Sequence, residues 1–499
     1  MSDEALPPLP RPTPPEGAGD TAALLRRLPR MNDLLAGLSE EDFERAPREE
    51  WGDALRQALE EVRADVLAAR IGPVVLAGRI APAKLRAAAR RRIERRRDPG
   101  CVRVVNATGV VLHTNLGRAA LPPAALEALA AHGRGYQLLA ADAEGGARSP
   151  RERHVERLFR ELTGAEAATV VNNNAAATLV ALAALGAGRE IIVARGQLVE
   201  IGGAYRIPEV MNQSGAILRE VGTTNRVHLR DYENAIGPET AALLRVHTSN
   251  YRVEGFQGEV GLDELVALGK AYGLPVIDDL GSGALVSLSA HGVPGDEPLI
   301  QTSLAAGADL ITASGDKLIG GPQMGILLGT RAAVARVRAH PFYRALRCDK
   351  LTLIAMEATL RTFLHPERLA HDHPTFAMLT AEPRHLEALA ANLALRLAEV
   401  ATAGELPVHV DEAIAPDAVG AGSLPTVELP GRAVRLTPHG IEAGELARRL
   451  RVGSVPVFTT VKDGHVYVHV RTLQPGDDDD VVAAFRAAFE TPAEDPDGP

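Results

Sequence analysis

One lysine, Lys317, stands among small residues between two apolar segments that have the length of short buried strands. The segment before it is Asp309-Leu310-Ile311, and the segment after it is Met324-Gly325-Ile326-Leu327-Leu328-Gly329. Burial lowers the pKa of a lysine because the charged form loses its hydration. A neutral lysine amine can form a Schiff base with a carbonyl cofactor, whereas a lysine in a surface turn would only be solvated. This segment alone leaves both interpretations open.

An acidic pair, Asp278-Asp279, directly follows the apolar segment Pro275-Val276-Ile277. In an open α/β sheet, ligands bind beyond the carboxyl ends of the strands. A carboxylate at that place suits pyridoxal phosphate, because it would pair with the protonated pyridine nitrogen of the cofactor. We assign this role to Asp279, since Gly281, two residues further on, would let the ring approach. A helix cap for the following turn is the alternative.

Three asparagines, Asn172-Asn173-Asn174, lie between a predicted strand and an alanine-rich helix. Free N–H groups at a helix N-terminus, together with amide side chains, favour phosphate binding. We therefore predict cofactor contacts from Asn173, Asn174 and Ala175, with a further hydroxyl from Ser314. Simple helix capping is the alternative. The order of phosphate site, aspartate and lysine resembles that of aspartate-aminotransferase-type pyridoxal enzymes.

The elements that must position these residues follow from the alternation of short apolar strands with helical patterns after residue 102. This alternation is the signature of βαβ units and of a mainly parallel sheet. A chain of 499 residues is expected to form two or three domains. We place a pyridoxal-phosphate-binding core at residues 99–400. A smaller α+β domain follows at residues 401–490, where apolar residues alternate.

The first part of the chain, residues 21–98, has the pattern of a small helical domain. Apolar residues recur at helical spacing over residues 21–38 and 48–70. A third helix ends in an arginine-rich run, residues 90–97, before Asp98-Pro99-Gly100 breaks it. Such a run is either a solvated helix face or a surface that contacts RNA.

The composition limits the classes of function. A net charge of −10 and a pI near 5.9 give no global sign of a nucleic-acid partner. Two cysteines, Cys101 and Cys348, provide no disulfide framework, which fits a reducing cytoplasm. No apolar run is long enough to span a bilayer, and we assign no metal site. Residues 1–20 and 491–499 are predicted to be a disordered leader and a disordered tail.

Three arginines, Arg118, Arg344 and Arg347, call for a separate explanation. Arginine side chains bind oxyanions through two parallel hydrogen bonds. Arg344 and Arg347 could instead be an ordinary pair on a helix surface, because they are three residues apart. The residues alone do not decide between an anion site and a surface pair.

Longer segments of the chain resemble bacterial selenocysteine synthase, the L-seryl-tRNA(Sec) selenium transferase family. The segments are Asn106-Ala107-Thr108-Gly109, His113-Thr114-Asn115-Leu116-Gly117-Arg118, Val171-Asn172-Asn173-Asn174-Ala175-Ala176-Ala177, Leu198-Val199-Glu200-Ile201-Gly202-Gly203-Ala204, Glu220-Val221-Gly222-Thr223-Thr224-Asn225, Val246-His247-Thr248-Ser249-Asn250-Tyr251, Ser314-Gly315-Asp316-Lys317 and Arg344-Ala345-Leu346-Arg347. The resemblance runs from about residue 24 to about residue 489. The chain departs from the family pattern in its proline-rich leader and at Ser149-Pro150.

The resemblance implies an α/β fold of the aspartate-aminotransferase-like type, fold type I, with pyridoxal 5'-phosphate as cofactor. It implies conversion of L-seryl-tRNA(Sec) to L-selenocysteinyl-tRNA(Sec) for selenoprotein biosynthesis. The reaction would be β-elimination to aminoacrylyl-tRNA, followed by addition of selenium from selenophosphate. Because the substrate carboxyl is esterified to tRNA, no carboxylate clamp is needed. The role of Arg471, where relatives of this fold hold a substrate carboxylate, is therefore ambiguous.

The resemblance also implies roles for individual residues and partners. Lys317 would be the pyridoxal lysine, and Asp316 beside it a second catalytic residue. Arg118, Arg344 and Arg347 would bind selenophosphate. The helical N-terminal domain would bind the tRNA, and the chains would assemble into a ring-shaped homodecamer in the cytoplasm.

Three alternatives share part of this pattern. A cysteine desulfurase or selenocysteine lyase would need a mobile thiol, and neither Cys101 nor Cys348 has the setting of a flexible-loop thiol. An ammonia lyase for a phosphorylated amino-sugar acid would share Lys317 and an anion pocket without needing the helical domain. A tRNA-binding protein without catalysis would not need an intact Lys317, Asp279 and asparagine segment.

Overall fold

The computed structural model describes residues 21–490, except residues 98, 99, 204 and 252. The predicted disordered segments, residues 1–20 and 491–499, and the helix break at residues 98–99 lie outside the described residues. The chain divides into two compact units, Met1–Val102 and Arg103–Pro499.

The first unit is helical, as the spacing of its apolar residues predicts. Its helices are α1 Thr21–Leu25, α2 Met31–Ala36, α3 Glu40–Arg45, α4 Arg48–Leu67, α5 Pro73–Arg79 and α6 Pro82–Arg97. The expectation of one continuous helical segment over residues 21–38 is wrong, because the chain forms two short helices there. Pro29 lies between them, and a proline in a helix interior cannot donate the backbone hydrogen bond.

Helices α4 and α6 pack together around a core that includes Trp51, Leu55 and Ile93. The indole nitrogen of Trp51 donates to the carbonyl oxygen of Asp42 at 2.8 Å, so that this large side chain is buried with its polar atom satisfied. The arginine-rich run lies on α6. Several of its arginines pair with acidic residues of the same unit: Arg90 with Asp42, Arg92 with Glu61, and Arg97 with Glu50.

The second unit contains all the strands of the described chain. The strands are β1 Val105–Ala107, β2 Ala167–Val171, β3 Glu190–Ala194, β4 Glu200–Ile201, β5 Tyr205–Arg206, β6 Ile217–Val221, β7 Thr240–Val246, β8 Val276–Gly281, β9 Leu310–Ser314, β10 Gly325–Gly329, β11 Val408–Ile414, β12 Asp417–Gly420, β13 Ser423–Leu429, β14 Arg432–Pro438, β15 Val457–Lys462 and β16 His465–His469.

The helices of this unit alternate with the strands in its first half and cluster after β10. They are α7 Pro123–His132, α8 Arg153–Thr163, α9 Asn174–Gly186, α10 Ile207–Ser214, α11 Leu229–Ala235, α12 Leu262–Tyr272, α13 Ile300–Ala306, α14 Arg331–Ala339, α15 Pro341–Ala345, α16 Lys350–Thr362, α17 Leu369–Asp372, α18 Pro374–Leu379, α19 Pro383–Ala403, α20 Ala443–Arg451 and α21 Asp477–Glu490. Short 3-10 turns occur at Thr114–Leu116, Arg195–Gln197, Ser289–His291 and Pro366–Arg368.

A seven-stranded sheet forms the centre of the second unit, in the order β2-β10-β9-β8-β7-β3-β6. The strands from β9 to β6 pair in parallel, and β10 is antiparallel to both of its neighbours. The sheet is therefore mainly parallel, which confirms the prediction from the alternation of strands and helices. Buried aliphatic clusters cover both faces, as a doubly covered parallel sheet requires.

The direction of the strands brings the predicted site residues to one edge of this sheet. Strands β2, β7, β8 and β9 run the same way, because β2 and β9 are both antiparallel to β10. Their carboxyl ends therefore meet along one edge, where an open α/β sheet binds its ligands.

A second sheet of five strands has the order β1-β15-β16-β14-β11 and packs against α19, α20 and α21. Its strand β1 comes from residues 105–107 and pairs in parallel with β15, which lies far along the chain. The smaller α+β layer thus recruits a strand from outside residues 401–490.

Candidate active site

Lys317 lies three residues beyond the end of β9, in the turn that leads to β10. The residue is only 7% exposed. Burial, reinforced by the positive charge of Arg118, lowers the pKa of the Lys317 amine, and the nearby carboxylates of Asp279 and Asp316 only partly oppose this shift. The turn therefore holds a lysine whose neutral form is more accessible than that of an exposed lysine.

Asp279 is buried in β8 at the same edge of the sheet. Its Oδ1 accepts hydrogen bonds from Nδ2 of Asn174 at 3.0 Å and from Oγ1 of Thr312 at 2.8 Å. Burial nevertheless raises the pKa of Asp279, so a cationic partner would be needed to hold it fully charged. The neighbouring Asp278 already has a cationic partner, because its Oδ1 lies 3.0 Å from Nη1 of Arg245.

The asparagine segment begins helix α9, as predicted. The side chain of Asn173 caps the helix by accepting from the backbone N–H of Ala176 at 2.9 Å. Among the described residues, the buried amide oxygen of Asn174 has no hydrogen-bond partner. Strand β10 approaches this helix start so closely that a Cβ on Gly325 would lie 2.0 Å from the Asn173 carbonyl oxygen. The asparagine segment thus caps helix α9 and also lines the cavity at the edge of the sheet.

These residues surround one cavity of about 540 Å³, within the usual size of a ligand pocket. The lining residues that the sequence predicted are Arg118, Asn173, Asn174, Ala175, Asp279, Ser314, Asp316 and Lys317. Further lining residues are Thr114, Ile201, Gly202, Tyr205, Val246, His247, Ser249, Asn250, Gly281, Gln323, Ala421 and Gly422. Gly281 has a φ of +70°, a conformation that a side chain would strain at the turn that follows Asp279.

Arg118 enters the cavity from the segment before α7. Its Nη1 lies 2.6 Å from Oδ2 of Asp316, the residue next to Lys317. Arg118 has a φ of +65°, an uncommon conformation for a residue with a side chain. Such strain is typical of positions that the surrounding structure fixes for a functional reason.

Arg344 and Arg347 do not line this cavity. Arg344 is exposed on the short helix α15, and Arg347 is partly buried just after it. The intervening carbonyl of Leu346 accepts from the backbone N–H of Asn172 at 2.9 Å, so this segment lies beside the asparagine segment. Within one chain, the structure thus brings only Arg118 of the three arginines into the cavity.

Sequence reasoning missed several polar partners of the site. Thr312 and Thr178 both bond to the Asp279 carboxylate, the latter at 3.4 Å to Oδ2. Thr312 lies two residues before Ser314 on a strand, and Thr178 four residues after Asn174 on a helix, so residue spacing could have identified both. His247 also lines the cavity, and its Nε2 lies 3.1 Å from Oε2 of Glu297. Its segment, residues 246–251, was noted only for the family resemblance, and no role was predicted for the histidine.

Arg471 is buried and its guanidinium is fully engaged. It donates to Oδ2 of Asp417 at 2.8 Å and to the carbonyl oxygens of Met378 and Pro430 at 2.6 and 2.5 Å. It does not line the cavity. Each nitrogen of the Arg471 guanidinium thus already donates to a protein oxygen, which argues against a role in holding a substrate carboxylate.

The cavity has the features that pyridoxal phosphate requires. The start of α9 provides backbone N–H groups for the phosphate end, and Asp279 provides a buried carboxylate for a cationic ring nitrogen. Lys317 provides a buried amine in the same cavity. Among the described residues, no group of three or more His, Cys, Asp or Glu side chains forms a metal site. Nor does any described helix have the length and apolar character needed to cross a membrane.

Comparison with known proteins agrees with this arrangement. The chain is similar to the L-seryl-tRNA(Sec) selenium transferase of Nitratidesulfovibrio vulgaris, with 46% identity over 477 residues that cover 93% of this chain and 99% of the relative. The enzyme of that name from Moorella thermoacetica is 51% identical over 392 residues, covering 78% of this chain and 82% of the relative.

Among solved structures, a D-glucosaminate-6-phosphate ammonia-lyase is similar in fold, with a TM-score of 0.54 and 21% identity over 79% of this chain and 98% of that chain. The α/β fold with a mainly parallel sheet that the sequence predicts is thereby confirmed. A sequence profile described as L-seryl-tRNA selenium transferase matches residues 104–474, which include every residue of the cavity. The chain therefore belongs to the L-seryl-tRNA selenium transferase family.

Proposed function

We propose that this chain converts L-seryl-tRNA(Sec) to L-selenocysteinyl-tRNA(Sec), with pyridoxal 5'-phosphate as cofactor and selenophosphate as selenium donor. The observation that carries the proposal is the convergence of Lys317, Asp279 and the start of α9 on one cavity, in a chain of this family. Incubation of the purified protein with seryl-tRNA(Sec) and ⁷⁵Se-labelled selenophosphate tests it. We expect labelled selenocysteine on the tRNA, and free serine should not be labelled.

The residues of the cavity divide the work as follows. Asn173, Asn174, Ala175 and Ser314 would hold the phosphate of the cofactor, and Asp279 would keep the ring nitrogen protonated by charge pairing. When bound, the cofactor supplies an electron sink for the electrons left when the seryl α-proton is removed.

Lys317 would hold the cofactor through its amine, and the same amine would remove the seryl α-proton, since burial lowers its pKa and makes the neutral form more accessible. Asp316 positions Arg118 through the 2.6 Å ion pair and so keeps a guanidinium in the cavity that Lys317 also lines. Arg118 would then accept selenophosphate as a ligand in exchange for part of this pairing.

The occupied state of Arg471 supports an esterified substrate. A free amino acid presents a carboxylate that needs a cationic partner, whereas the seryl ester presents none. Among the described lining residues, the cations of the cavity are Lys317 and Arg118, and Arg118 is paired with Asp316. Free serine would therefore leave its carboxylate poorly compensated.

A thiol-based selenium or sulfur lyase has little support in this chain. Cys348 is buried, and burial raises the pKa of its thiol to about 12, which suppresses the nucleophilic thiolate. Cys101 is exposed but belongs to the first unit, Met1–Val102, and does not line the cavity. The similarity to the ammonia-lyase, at 21% identity, supports a shared fold and does not support a shared substrate.

The addition of selenium should depend on Arg344 and Arg347 more strongly than the preceding β-elimination does. Arg344→Ala or Arg347→Ala should still exchange the seryl α-proton with deuterated solvent, because that step would depend on Lys317, Asp279 and the cofactor and not on these two arginines. Because both arginines lie outside the cavity of their own chain, this expectation places them at the cavity of a neighbouring chain in the predicted homodecamer. Each variant should then lose selenium incorporation by the equivalent of roughly 1.5–3 kcal/mol, the value of a charge-assisted contact. Lysine replacements should rescue only partly, because an ammonium cannot make a planar two-point contact.

The two half-reactions are measured separately, as deuterium exchange and as ⁷⁵Se transfer in a single turnover. Arg384→Ala, which removes an exposed arginine of α19 with no assigned role, serves as the matched control. If proton exchange is lost as well, the arginines serve cofactor binding or folding. Normal selenium transfer would show them to be an ordinary surface pair.

The helical unit should supply most of the tRNA affinity. Exposed ion pairs such as Arg97–Glu50 are worth little, so these arginines can exchange their carboxylates for phosphates. Deletion of residues 1–98 should abolish tRNA binding and leave cofactor absorbance intact. Affinity of the full chain should fall with salt as counterions compete for the phosphates.

Binding of labelled tRNA(Sec) to the full and truncated proteins provides the measurement, with cofactor absorbance as the control for folding. Equal affinity of the two proteins for tRNA would exclude this role. A homodecamer and a cytoplasmic location, both implied by the resemblance, stay predictions.

A further inference from the structure

A second cavity of about 670 Å³ adjoins the candidate active site. His247 lines both cavities. Its pair with the buried carboxylate of Glu297, which also accepts the backbone N–H of Leu424 at 2.7 Å, forms the wall between them. A ligand in the second cavity would therefore lie next to a substrate bound at Lys317.

The second cavity has aromatic side chains at its edge. Tyr251 lines it, and its hydroxyl donates to the carbonyl oxygen of Gly196, which fixes the ring at the cavity wall. Phe256 is 90% exposed and directly precedes the lining residue Gln257. Aromatic residues make up only 3% of the chain, so two accessible rings in one short loop need an explanation. Unpaired nucleic-acid bases stack on such rings.

Charged groups in the cavity complement this surface. Arg226 is exposed at the lining, and no carboxylate of the described residues pairs with it. Glu259 also lines the cavity and has no hydrogen-bond partner among the residues described. The carboxylates of Asp296 and Glu297 are different, because Ser289 and His247 already occupy them. Among the described lining residues, the Arg226 guanidinium and the Glu259 carboxylate thus face a cavity with aromatic edges.

We propose that this second cavity binds the terminal nucleotide of the aminoacyl-tRNA. The inference rests on the proposed function, because it applies to a serine that is esterified to RNA. The ester joins the seryl carbonyl directly to the ribose of the terminal adenosine, so that nucleoside must occupy space adjoining the reacting serine. The cavity behind His247 provides such space.

Each part of the nucleotide has a partner of suitable chemistry. The adenine stacks against Tyr251 and Phe256, and the 5'-phosphate pairs with the Arg226 guanidinium. Glu259 accepts a hydrogen bond from a ribose hydroxyl, a role that carboxylates fill in nucleotide sites. The tRNA end is thereby held from its base to its ester, which fixes the seryl α-carbon in front of Lys317.

A comparison of two small serine esters measures the effect of the terminal nucleotide in the absence of all other tRNA contacts. One is serine esterified to the 3'-hydroxyl of adenosine 5'-monophosphate, and the other is serine methyl ester. The readout is the rate of α-proton exchange catalysed by the full-length holoenzyme in deuterated buffer. We expect kcat/KM for the nucleotide ester to exceed that for the methyl ester by about 5- to 100-fold, the range that stacking of one base provides.

Substitutions then locate the preference. Phe256→Ala and Arg226→Ala should each reduce the ratio of the two kcat/KM values at least about five-fold. Tyr272→Ala and Arg230→Ala are matched controls, because both side chains are exposed in the same unit and neither lines the cavity. These controls should keep the wild-type ratio. Equilibrium binding of fluorescent adenosine 5'-monophosphate to the full chain should weaken in the same two variants.

The outcomes separate the inference from the function on which it rests. If both esters exchange at equal rates, or if the two variants keep the wild-type ratio, the cavity does not bind the terminal nucleotide. If the nucleotide binds but gives no advantage to its ester, the cavity serves a free nucleotide, and the inference is wrong. If neither ester nor seryl-tRNA(Sec) exchanges its α-proton, the proposed function itself fails.

Discussion

Replacement of Lys317 by alanine should abolish selenium transfer. Under the proposed roles of Lys317, the variant would lack both the covalent anchor of the cofactor and the base that removes the seryl α-proton. Loss of a positioned base alone costs about 10²–10⁴-fold in rate, so the combined loss should be at least this large. Steady-state ⁷⁵Se transfer measures it, with Lys350→Ala as the control, since the Lys350 amine only donates to the carbonyl of Gly135 at the surface.

Chemical trapping makes the assignment specific. The chain has five lysines, so borohydride reduction of the wild-type protein followed by peptide mapping can assign the modified residue without ambiguity. We expect the reduced cofactor on Lys317, because burial and Arg118 favour its neutral amine. Reduced cofactor on Lys84, Lys270, Lys350 or Lys462, or on none of the five, would overturn the assignment.

Replacement of Asp279 should slow α-proton removal by orders of magnitude. Without this carboxylate the ring nitrogen loses its anionic partner, and the electron sink weakens. Asp279→Asn is the sharper variant, because an amide can still accept from Thr312 and keeps the volume of the buried side chain. Exchange of the seryl α-proton with deuterated solvent gives the rate, and cofactor absorbance confirms that the site is still loaded.

Asp278→Asn is the natural control for this experiment. Asp278 pairs with Arg245 and does not line the cavity, so its loss should lower the free energy of unfolding while the loaded enzyme keeps its exchange rate. Unchanged exchange in Asp279→Asn would remove the residue from the chemistry. Slowed exchange in Asp278→Asn alone would transfer the role to the neighbouring carboxylate.

Much of the central sheet could be predicted, because each buried strand is identified by the apolar residues of its own short segment. Buried parallel strands appear as short apolar runs, and the segments predicted before Asp278 and before Lys317 begin within one residue of β8 and β9, which continue three or four residues further. The carboxyl ends of parallel strands share one edge, so the placement of Asp279 and Lys317 together followed from topology alone.

Long-range pairing could not be predicted in the same way. The pairing of β1 with β15 joins residues about 350 positions apart, and nothing in Val105–Ala107 identifies its partner. The contacts of the arginine run with α3 and α4 also depend on helix packing, which the run itself does not reveal. Similarly, spacing placed Arg344 and Arg347 on one segment and could not say that they lie outside the cavity of their own chain.

The visible absorbance spectrum of the purified protein, before and after addition of seryl-tRNA(Sec), tests the central claim most directly. We expect a yellow protein whose cofactor band changes with seryl-tRNA(Sec) and stays the same with free serine at equal concentration. The reason is that the Lys317 site binds an ester and Arg471 is not free to hold a carboxylate. A colourless protein after incubation with pyridoxal phosphate, or a spectrum that responds to free serine and not to seryl-tRNA(Sec), would contradict the account.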